Sequence, residues 1–585
     1  MRVCIIGGGP SGLVTLKELR ERSIDAVVYE ARSAIGGCFL SAWEGAQLTS
    51  SSVLTAFGSF SDGQEAAPRF WTADEYCAYL RAFAERYELG ESIRLNTRVQ
   101  SVRRAADGWL MVACAPAGGD GTAPPAEEAF DAIAVCSGTH TEPSLPAWAR
   151  GGAAGLSEFG GRILHSSEFE HAADFAGRRV LVVGLGESGS DVALLVARTG
   201  ASTRVGISSR RGPGAVVSRF TDAAESEPAD LRTNRALHGP AAWRREDYRW
   251  FWHSVLASES GGERERELLR AAFGPQREHE PFSGYERDAM RFNLAGANHP
   301  FDRFGTKNDS FLRAMRDHHA TLHPDVQRLR RGGVVFCDGS EFECDTIICC
   351  TGYRAAFPFF EQHMAELAVR ACDARARFKH MIAPEVGPSV AFIGFARPAF
   401  GAIPPMSEMS ARYWAMLLAG ELRLPERGRL EELIARERGA EERQFSRDAK
   451  RIDTLTHYHT FMDGLAALIG CRPPLTQLRH ERRGVWERAV HSALCGAQYR
   501  LFGPGAIEDA WRTMERMPLP RFAQQPHSAL RALRARVDGA GATAAAAAAA
   551  AADGDGDVDG GGDGGGDGDG DGLAVNALER KIGVR

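Results

Sequence analysis

Val3-Cys4-Ile5-Ile6-Gly7-Gly8-Gly9-Pro10-Ser11-Gly12 and Val180-Leu181-Val182-Val183-Gly184-Leu185-Gly186-Glu187-Ser188-Gly189 carry one pattern twice. Each is a short apolar run, then glycines at a fixed spacing, then a helical pattern. That is the strand–turn–helix context of a dinucleotide fingerprint. The first Gly permits a tight turn, the second lets backbone approach a diphosphate, and the third lets the helix pack on the strand. Two such turns imply two dinucleotides, one a flavin and the other a nicotinamide, with electrons passing between them. The predicted fold is α/β, with two Rossmann-like dinucleotide-binding domains.

The two units differ at the end of their second strand. Val27-Val28-Tyr29-Glu30 is that strand in the first unit, and Glu30 stands where a carboxylate accepts both ribose hydroxyls and rejects a 2′-phosphate. Gly7, Gly9, Gly12 and Glu30 are therefore predicted to bind FAD. The second unit ends Ser208-Ser209-Arg210-Arg211 with no acid. Hydroxyl and guanidinium groups suit a 2′-phosphate through charge-assisted bonds, which points to NADPH. Gly184, Gly186, Ser188, Gly189, Ser208, Arg210 and Arg211 are its candidate contacts.

With 585 residues the chain has room for two to four domains. Its 44% hydrophobic and 25% charged residues are those of a globular protein. A net charge of −6 argues against nucleic acid as a partner. The basic residues are almost all Arg, interleaved with acids as on a solvated face. Twelve Cys lack metal-ligand spacing, so no metal site is predicted, and they read as buried thiols of a reducing compartment. The first strand begins too early to leave space for a leader, and no apolar run reaches the roughly eighteen residues of a membrane span. A cytoplasmic location is expected, with peripheral membrane attachment and a homodimer left open.

Between the glycine turns, residues 70–90 have helical periodicity, 93–103 and 109–114 are strand-like, and Phe130–Cys136 is another strand. Residues 214–300 break the sheet pattern and read as a mostly helical insertion. Gly333–Cys337, an Asp338-Gly339 turn and Asp345–Cys350 read as a hairpin followed by a strand. Helices are expected over 405–450 and 455–470. From 538 the Ala- and Gly/Asp-rich tail has too little apolar surface to fold and is expected to be disordered.

Phe159-Gly160-Gly161-Arg162-Ile163-Leu164-His165-Ser166-Ser167-Glu168-Phe169, just upstream of the second glycine turn, resembles the signature of flavin-containing monooxygenases. Baeyer–Villiger monooxygenases carry Trp where this chain has Phe169. Asp345 to Tyr353 is similar to the family's late ATGY segment, with Gly352 lying where backbone approaches the flavin. Ala391–Gly394 and Gly401–Pro404 resemble another family stretch. Tyr499–Gly505 resembles the YRLxGPG segment of the vertebrate-type, dimethylaniline-oxidising members. The resemblance runs from residue 1 to about 515, in family order.

The resemblance implies the domain plan. Residues 1–158 and 326–515 form a FAD-binding domain, the latter part carrying the C-terminal helices. Residues 159–325 form an NADPH-binding domain inserted in it, carrying the 214–300 insertion, and 538–585 is the tail. It also implies the activity. NADPH reduces FAD, O2 adds to the flavin, and a C4a-hydroperoxyflavin passes one oxygen to an amine or sulfide. Ketone oxygenation and a degenerate NADPH oxidase or NADP(H)-binding regulator are the alternatives. Phe159 and Phe169 are expected to pack, and His165 to act as a hinge and hydrogen-bonding residue.

Three departures from the family stand out. Its flavin-contacting Asn in LxTN is replaced within Leu48-Thr49-Ser50-Ser51-Ser52, making Ser51 and Ser52 the candidate catalytic hydroxyls, with Asn308 as a substitute amide. Its GxGNSG Asn is Glu187, a carboxylate where the nicotinamide diphosphate is expected to approach: pointing inward it repels, pointing outward it costs nothing. Its GGxW is Gly36-Gly37-Cys38-Phe39, where Gly36 and Gly37 are further flavin contacts.

Overall fold

The computed structural model describes residues 1–539 except 119–124, 153–154, 211–214, 221–226, 239–244, 274–283, 296–304, 362–363, 365–372, 446–453 and 521–528. Arg211 and all of the tail beyond residue 539 therefore lie outside the described residues.

The apolar runs ahead of both glycine turns become the central strands of two parallel five-stranded sheets. In the first sheet the order is Val390–Phe392, Ala132–Val135, Arg2–Ile6, Asp25–Tyr29 and Ile93–Arg94. In the second it is Thr321–His323, Arg204–Ser208, Arg179–Val183, Thr346–Cys349 and Arg162–His165. Near-continuous burial of these strands fits sheets covered on both faces. Val390–Phe392 completes the first sheet only after the chain has built the second. The second unit is thereby inserted in the first, and it extends through Thr346–Cys349 rather than ending at the expected residue 325.

Each unit also carries a three-stranded antiparallel sheet: Thr97–Arg104, Leu110–Pro116 and Ala126–Phe130 in the first, Val326–Arg330, Gly333–Phe336 and Glu341–Glu343 in the second. The strand expected over Phe130–Cys136 is Ala132–Val135, while Phe130 ends a separate strand, Ala126–Phe130, which belongs to a different sheet with only Asp131 between them. The helix expected over 405–450 is two, Ile403–Leu418 and Arg427–Gln444, broken around Gly420, which adopts φ +75°.

The described part of the insertion is mostly helical, with Arg245–Ala257, Glu263–Phe273 and Gly284–Ala295, and it also carries the short strand Ala215–Val216. Phe251, Val255, Leu268, Leu269 and Met290 share a core with Val182 and Val192 of the second sheet unit. A helix over residues 529–539, unforeseen from the sequence, lies on the same core through Leu530 and Leu533. Arg534 pairs with Asp247 at 3.2 Å, fastening it to the insertion. Among the described residues no helix is long and apolar enough to cross a membrane.

The C-terminal helices are held to the first unit by buried charge. Arg500 Nη2 donates to Glu408 Oε1 at 2.7 Å and to Glu18, which lies on the first fingerprint's helix, Pro10–Arg20. Glu408 in turn accepts from the Gly58 and Ser59 N–H groups at 2.5 and 3.0 Å. Burial pushes the Glu18 carboxyl up, but Arg500 and Lys17 outweigh it and hold the carboxyl at about 2. The segment resembling YRLxGPG is thus a structural clamp. Replacing Arg500 by Met should strand two buried carboxylates and cost about 3–5 kcal/mol, read as a lower melting temperature. Glu18 is depressed from 4.5, so its contribution is complete above that value and is lost as pH falls toward about 2. The gap between wild type and R500M should therefore narrow in acid. Equal melting temperatures at neutral pH would show that the clamp holds nothing.

Candidate functional site

The two glycine turns have the same geometry. Gly7 and Gly184 adopt φ +111° and +103°, and their N–H groups donate at 2.9 Å to the carbonyls of Tyr29 and Ser208. A Cβ on either would stand 2.6 Å from Cys136 O or 2.4 Å from Cys350 O. A Cβ on Gly12 would lie 1.9 Å from Gly7 O, and one on Gly189 would lie 1.9 Å from Gly184 O. The protein itself consumes the first and third glycines of each turn. The middle ones differ: an added Cβ on Gly9 only reaches ordinary contact with Gly37 at 3.4 Å, and one on Gly186 meets nothing within 4 Å. Those two faces are open for a diphosphate. Ser188 lies half-buried on the second turn.

Glu30 is buried at the edge of the first turn, where its carboxylate accepts from Gly8 N at 2.6 Å and Arg32 N at 2.8 Å. Gly36 donates its N–H to Gly8 O at 3.1 Å, and Gly37 O accepts from Arg32 Nη1 at 2.7 Å, so this loop folds back on the same turn. The residue matching Glu30 in the second unit is Ser209, because Tyr29 and Ser208 receive the equivalent turn N–H. Ser208 is buried with its hydroxyl donating to Pro324 O at 2.7 Å. Ser209 and the exposed Arg210 are the groups this edge presents.

The units meet where the Leu48–Ser52 segment faces the second fingerprint. Leu48 is anchored by its N–H to Trp71 O at 2.8 Å. Ser51 N–H donates to Asp230 Oδ2 at 2.7 Å, while Ser51 Oγ is buried with no hydrogen-bond partner. Ser52 instead joins local backbone, donating its N–H to Arg69 O at 2.7 Å. Of the two candidate hydroxyls, only Ser51 is uncommitted. Asp230 also faces Lys307 Nζ at 3.6 Å, and this ammonium is buried without a hydrogen bond. Arg219 reaches both units, bonding Asp191 at 2.8 Å and Gln47 at 3.3 Å.

Asn308 has a committed amide. Its Nδ2 donates to Glu187 O at 3.0 Å, and its Oδ1 accepts from Ser310 N at 3.0 Å and Ser190 Oγ at 3.1 Å. It positions the second fingerprint's helix, Glu187–Ala197. Glu187 Oε1 accepts from Lys307 N at 2.8 Å, and its Oε2 is shut away without a partner. Burial is the main reason this carboxyl is pushed up to about 7.

The segment joining the units explains its own pattern. Gly161 is a glycine because Asp345 O and the Phe159 ring stand 2.4 and 2.7 Å from where its Cβ would be. Phe169 stacks on Phe175 and meets Trp43 of the first unit edge-on at 6.2 Å. His165 Nδ1 accepts from Ser167 N at 3.1 Å, so Nε2 carries the proton and donates to Gly352 O at 3.0 Å. Burial pushes the His165 ring below its usual value, consistent with a neutral tether. Gly352 itself adopts φ +81°.

Asp230, Lys307 and Ser209 escape sequence reasoning. Lys307 left one signal: it is one of only five Lys in a chain whose positive charge is otherwise Arg. Asp230 sits within the 214–300 insertion with no motif around it.

Comparison with known proteins gives a consistent picture. A family model described as flavin-binding monooxygenase-like matches residues 1–236 and 288–537. The chain is 28% identical over 522 residues to a 4-hydroxybenzoate brominase (decarboxylating) of Marinomonas mediterranea, covering 87% of this chain and 92% of the relative. It is 27% identical over 535 residues to flavin-containing monooxygenase 2 of Homo sapiens, covering 87% and 90%. Among solved structures it resembles S-allyl-L-cysteine S-oxygenase from Allium sativum, with a TM-score of 0.53 and 19% identity, covering 83% of this chain and 94% of that one.

The open faces of Gly9 and Gly186 separate the two sites experimentally. Gly9→Val should fold but purify with little flavin. Gly186→Val should keep its flavin and lose NADPH binding, read by absorbance and by nucleotide titration. Full flavin in G9V would show that the first turn does not carry the diphosphate.

Proposed function

The chain belongs to the flavin-binding monooxygenase-like family, and from that premise we propose that it uses FAD and NADPH to pass one oxygen atom of O2 to a soft nitrogen or sulfur nucleophile. The second oxygen leaves as water, with both electrons drawn from NADPH. The observation that carries this reading is the pair of open glycine turns, in two units that are hydrogen-bonded to each other at Ser51 and Asp230.

The residues present fit both cofactors. The Gly7–Gly12 turn with Gly36, Gly37 and Glu30 would hold FAD, and the Gly184–Gly189 turn with Ser209 and Arg210 would hold NADPH. A flavin bound there supplies the passage of electrons from nicotinamide to O2. The protein's own work is to position and to exclude water. Asp230 fixes the Ser51 backbone, and its charge is offset by Lys307, so the unpartnered Ser51 hydroxyl is presented in a buried, charge-balanced site. His165 and Phe169 fix the spacing of the two units.

Oxidation of bromide, followed by bromination of a phenol, is a second reading. It is favoured by the likeness to a decarboxylating 4-hydroxybenzoate brominase over most of both chains. Bromide is itself a soft nucleophile toward the same oxygen. The deciding experiment supplies NADPH and O2 with a tertiary amine, a thioether, a ketone, or bromide plus 4-hydroxybenzoate, and reads products by mass spectrometry. An N-oxide or sulfoxide supports the reading, and a bromophenol favours the second. An ester would place the chain with ketone oxygenases. Peroxide alone in every arm would overturn oxygen transfer and leave an NADPH oxidase.

Ser51→Ala tests the hydroxyl. Removing an unpartnered buried hydroxyl should leave the melting temperature unchanged or raised. If that hydroxyl serves the bound cofactors, its loss costs about 1–3 kcal/mol, and peroxide leak should rise roughly fivefold to a hundredfold. Unchanged coupling in S51A would make the hydroxyl a bystander.

A further inference from the structure

Glu187 opens the helix Glu187–Ala197, at the end where free backbone N–H groups receive a diphosphate. The matching position of the first fingerprint is Pro10, which brings no charge. Glu187 is also tied from both sides. Its carbonyl accepts from Asn308 and its Oε1 from Lys307 N, so the side chain cannot swing out to solvent without breaking the loop that seats the helix. Its Oε2 is enclosed and unpartnered, on the residue next to Gly186, whose own face is open.

Every charged group around it already has a partner. On its own helix Asp191 bonds Arg219 at 2.8 Å, and Arg219 comes from the strand-end segment after Ala215–Val216. On the facing loop Lys307 pairs with Asp230 at 3.6 Å, and Asp309 lies against Arg313 at 3.6 Å and Ser218 Oγ at 2.8 Å. Burial is the largest influence and, with Asp191 adding to it, outweighs Arg219 and Lys307, which favour the ionised carboxyl. An arriving diphosphate adds negative charge to this enclosed place and can only disfavour ionisation further.

We propose that NADP(H) binds this chain with uptake of a proton on Glu187, so that a neutral carboxylic acid stands beside the diphosphate and affinity falls as pH rises above neutrality. The inference rests on the reading that the second glycine turn holds NADP(H). The sign follows from linkage. The free carboxyl sits at about 7, and bound nucleotide lifts it higher. Below that value both states are protonated and affinity is flat; above it, binding must recover the proton.

The test is calorimetric titration of NADP+ into the full-length, FAD-loaded protein at about pH 8, where the nucleotide's own 2′-phosphate has already titrated. Running it in two buffers of different ionisation enthalpy counts the protons. Wild type should take up roughly 0.4–0.8 proton per nucleotide, and Kd should weaken about fourfold to eightfold from pH 6.5 to pH 8. Glu187→Gln should show neither effect while retaining its flavin, and Glu187→Asn provides a second neutral variant should the first misfold. Binding by wild type without proton uptake would overturn the proposal, as would uptake that persists in both variants. If NADP+ does not bind wild type at either pH, the nucleotide reading itself fails.

Discussion

Two places where a helix meets a strand with no space for a Cβ govern the rest of this molecule. At Gly12 and Gly189 any side chain would lie 1.9 Å from a backbone carbonyl of its own turn. That contact lets each helix sit down on its sheet with its N-terminus aimed across the strand ends. An α/β sheet binds ligands at that end, where neighbouring crossovers diverge. Because the contact occurs twice, the chain builds two such ends. Because the second sheet is completed before the first, the chain crosses between the units on entering and on leaving the second, and the helix over 529–539 returns to it once more.

The units are held together by a small set of polar contacts. Ser51 to Asp230, Arg219 to Gln47, and Glu44 N–H to Glu170 O at 3.0 Å cross from one unit to the other, with Trp43 against Phe169 packed beside them. The junction is charge-dense but balanced, since Lys307, Arg219 and Arg313 each face a carboxylate. Burying charge without such pairing would be prohibitive. Beyond these ion pairs, Ser51 Oγ, Asp230 Oδ1, Glu187 Oε2 and Lys307 Nζ are buried without a hydrogen bond. A site that must admit two dinucleotides and keep water out is best furnished this way.

Much of this was legible in the sequence, for a physical reason. Local geometry is dictated by local residues, so the glycine turns, Glu30, the helical insertion and the packing of Phe159 and Phe169 could be read directly. What depends on contacts between distant segments could not. The shift from Ser208 to Ser209 is set by which carbonyl the turn N–H meets, not by composition. Asn308 resembles a free amide until Glu187 and Ser190 are placed against it. Arg500 and its segment resemble a family motif, yet their role depends on Glu18, 482 positions away in the chain. The helix over 529–539 carries its apolar stripe at Leu530, Leu533 and Val537, three residues in an Ala/Arg-rich background that runs straight into the low-complexity tail.

The central claim is that the two glycine turns serve one electron path, from a nicotinamide on the second to a flavin on the first. Anaerobic mixing of the FAD-loaded protein with NADPH, followed by flavin absorbance, tests it most directly. NADPH should bleach the oxidised flavin band completely in the absence of any substrate, and NADH should do so far more slowly. A bound flavin that stays oxidised under excess NADPH would contradict the claim.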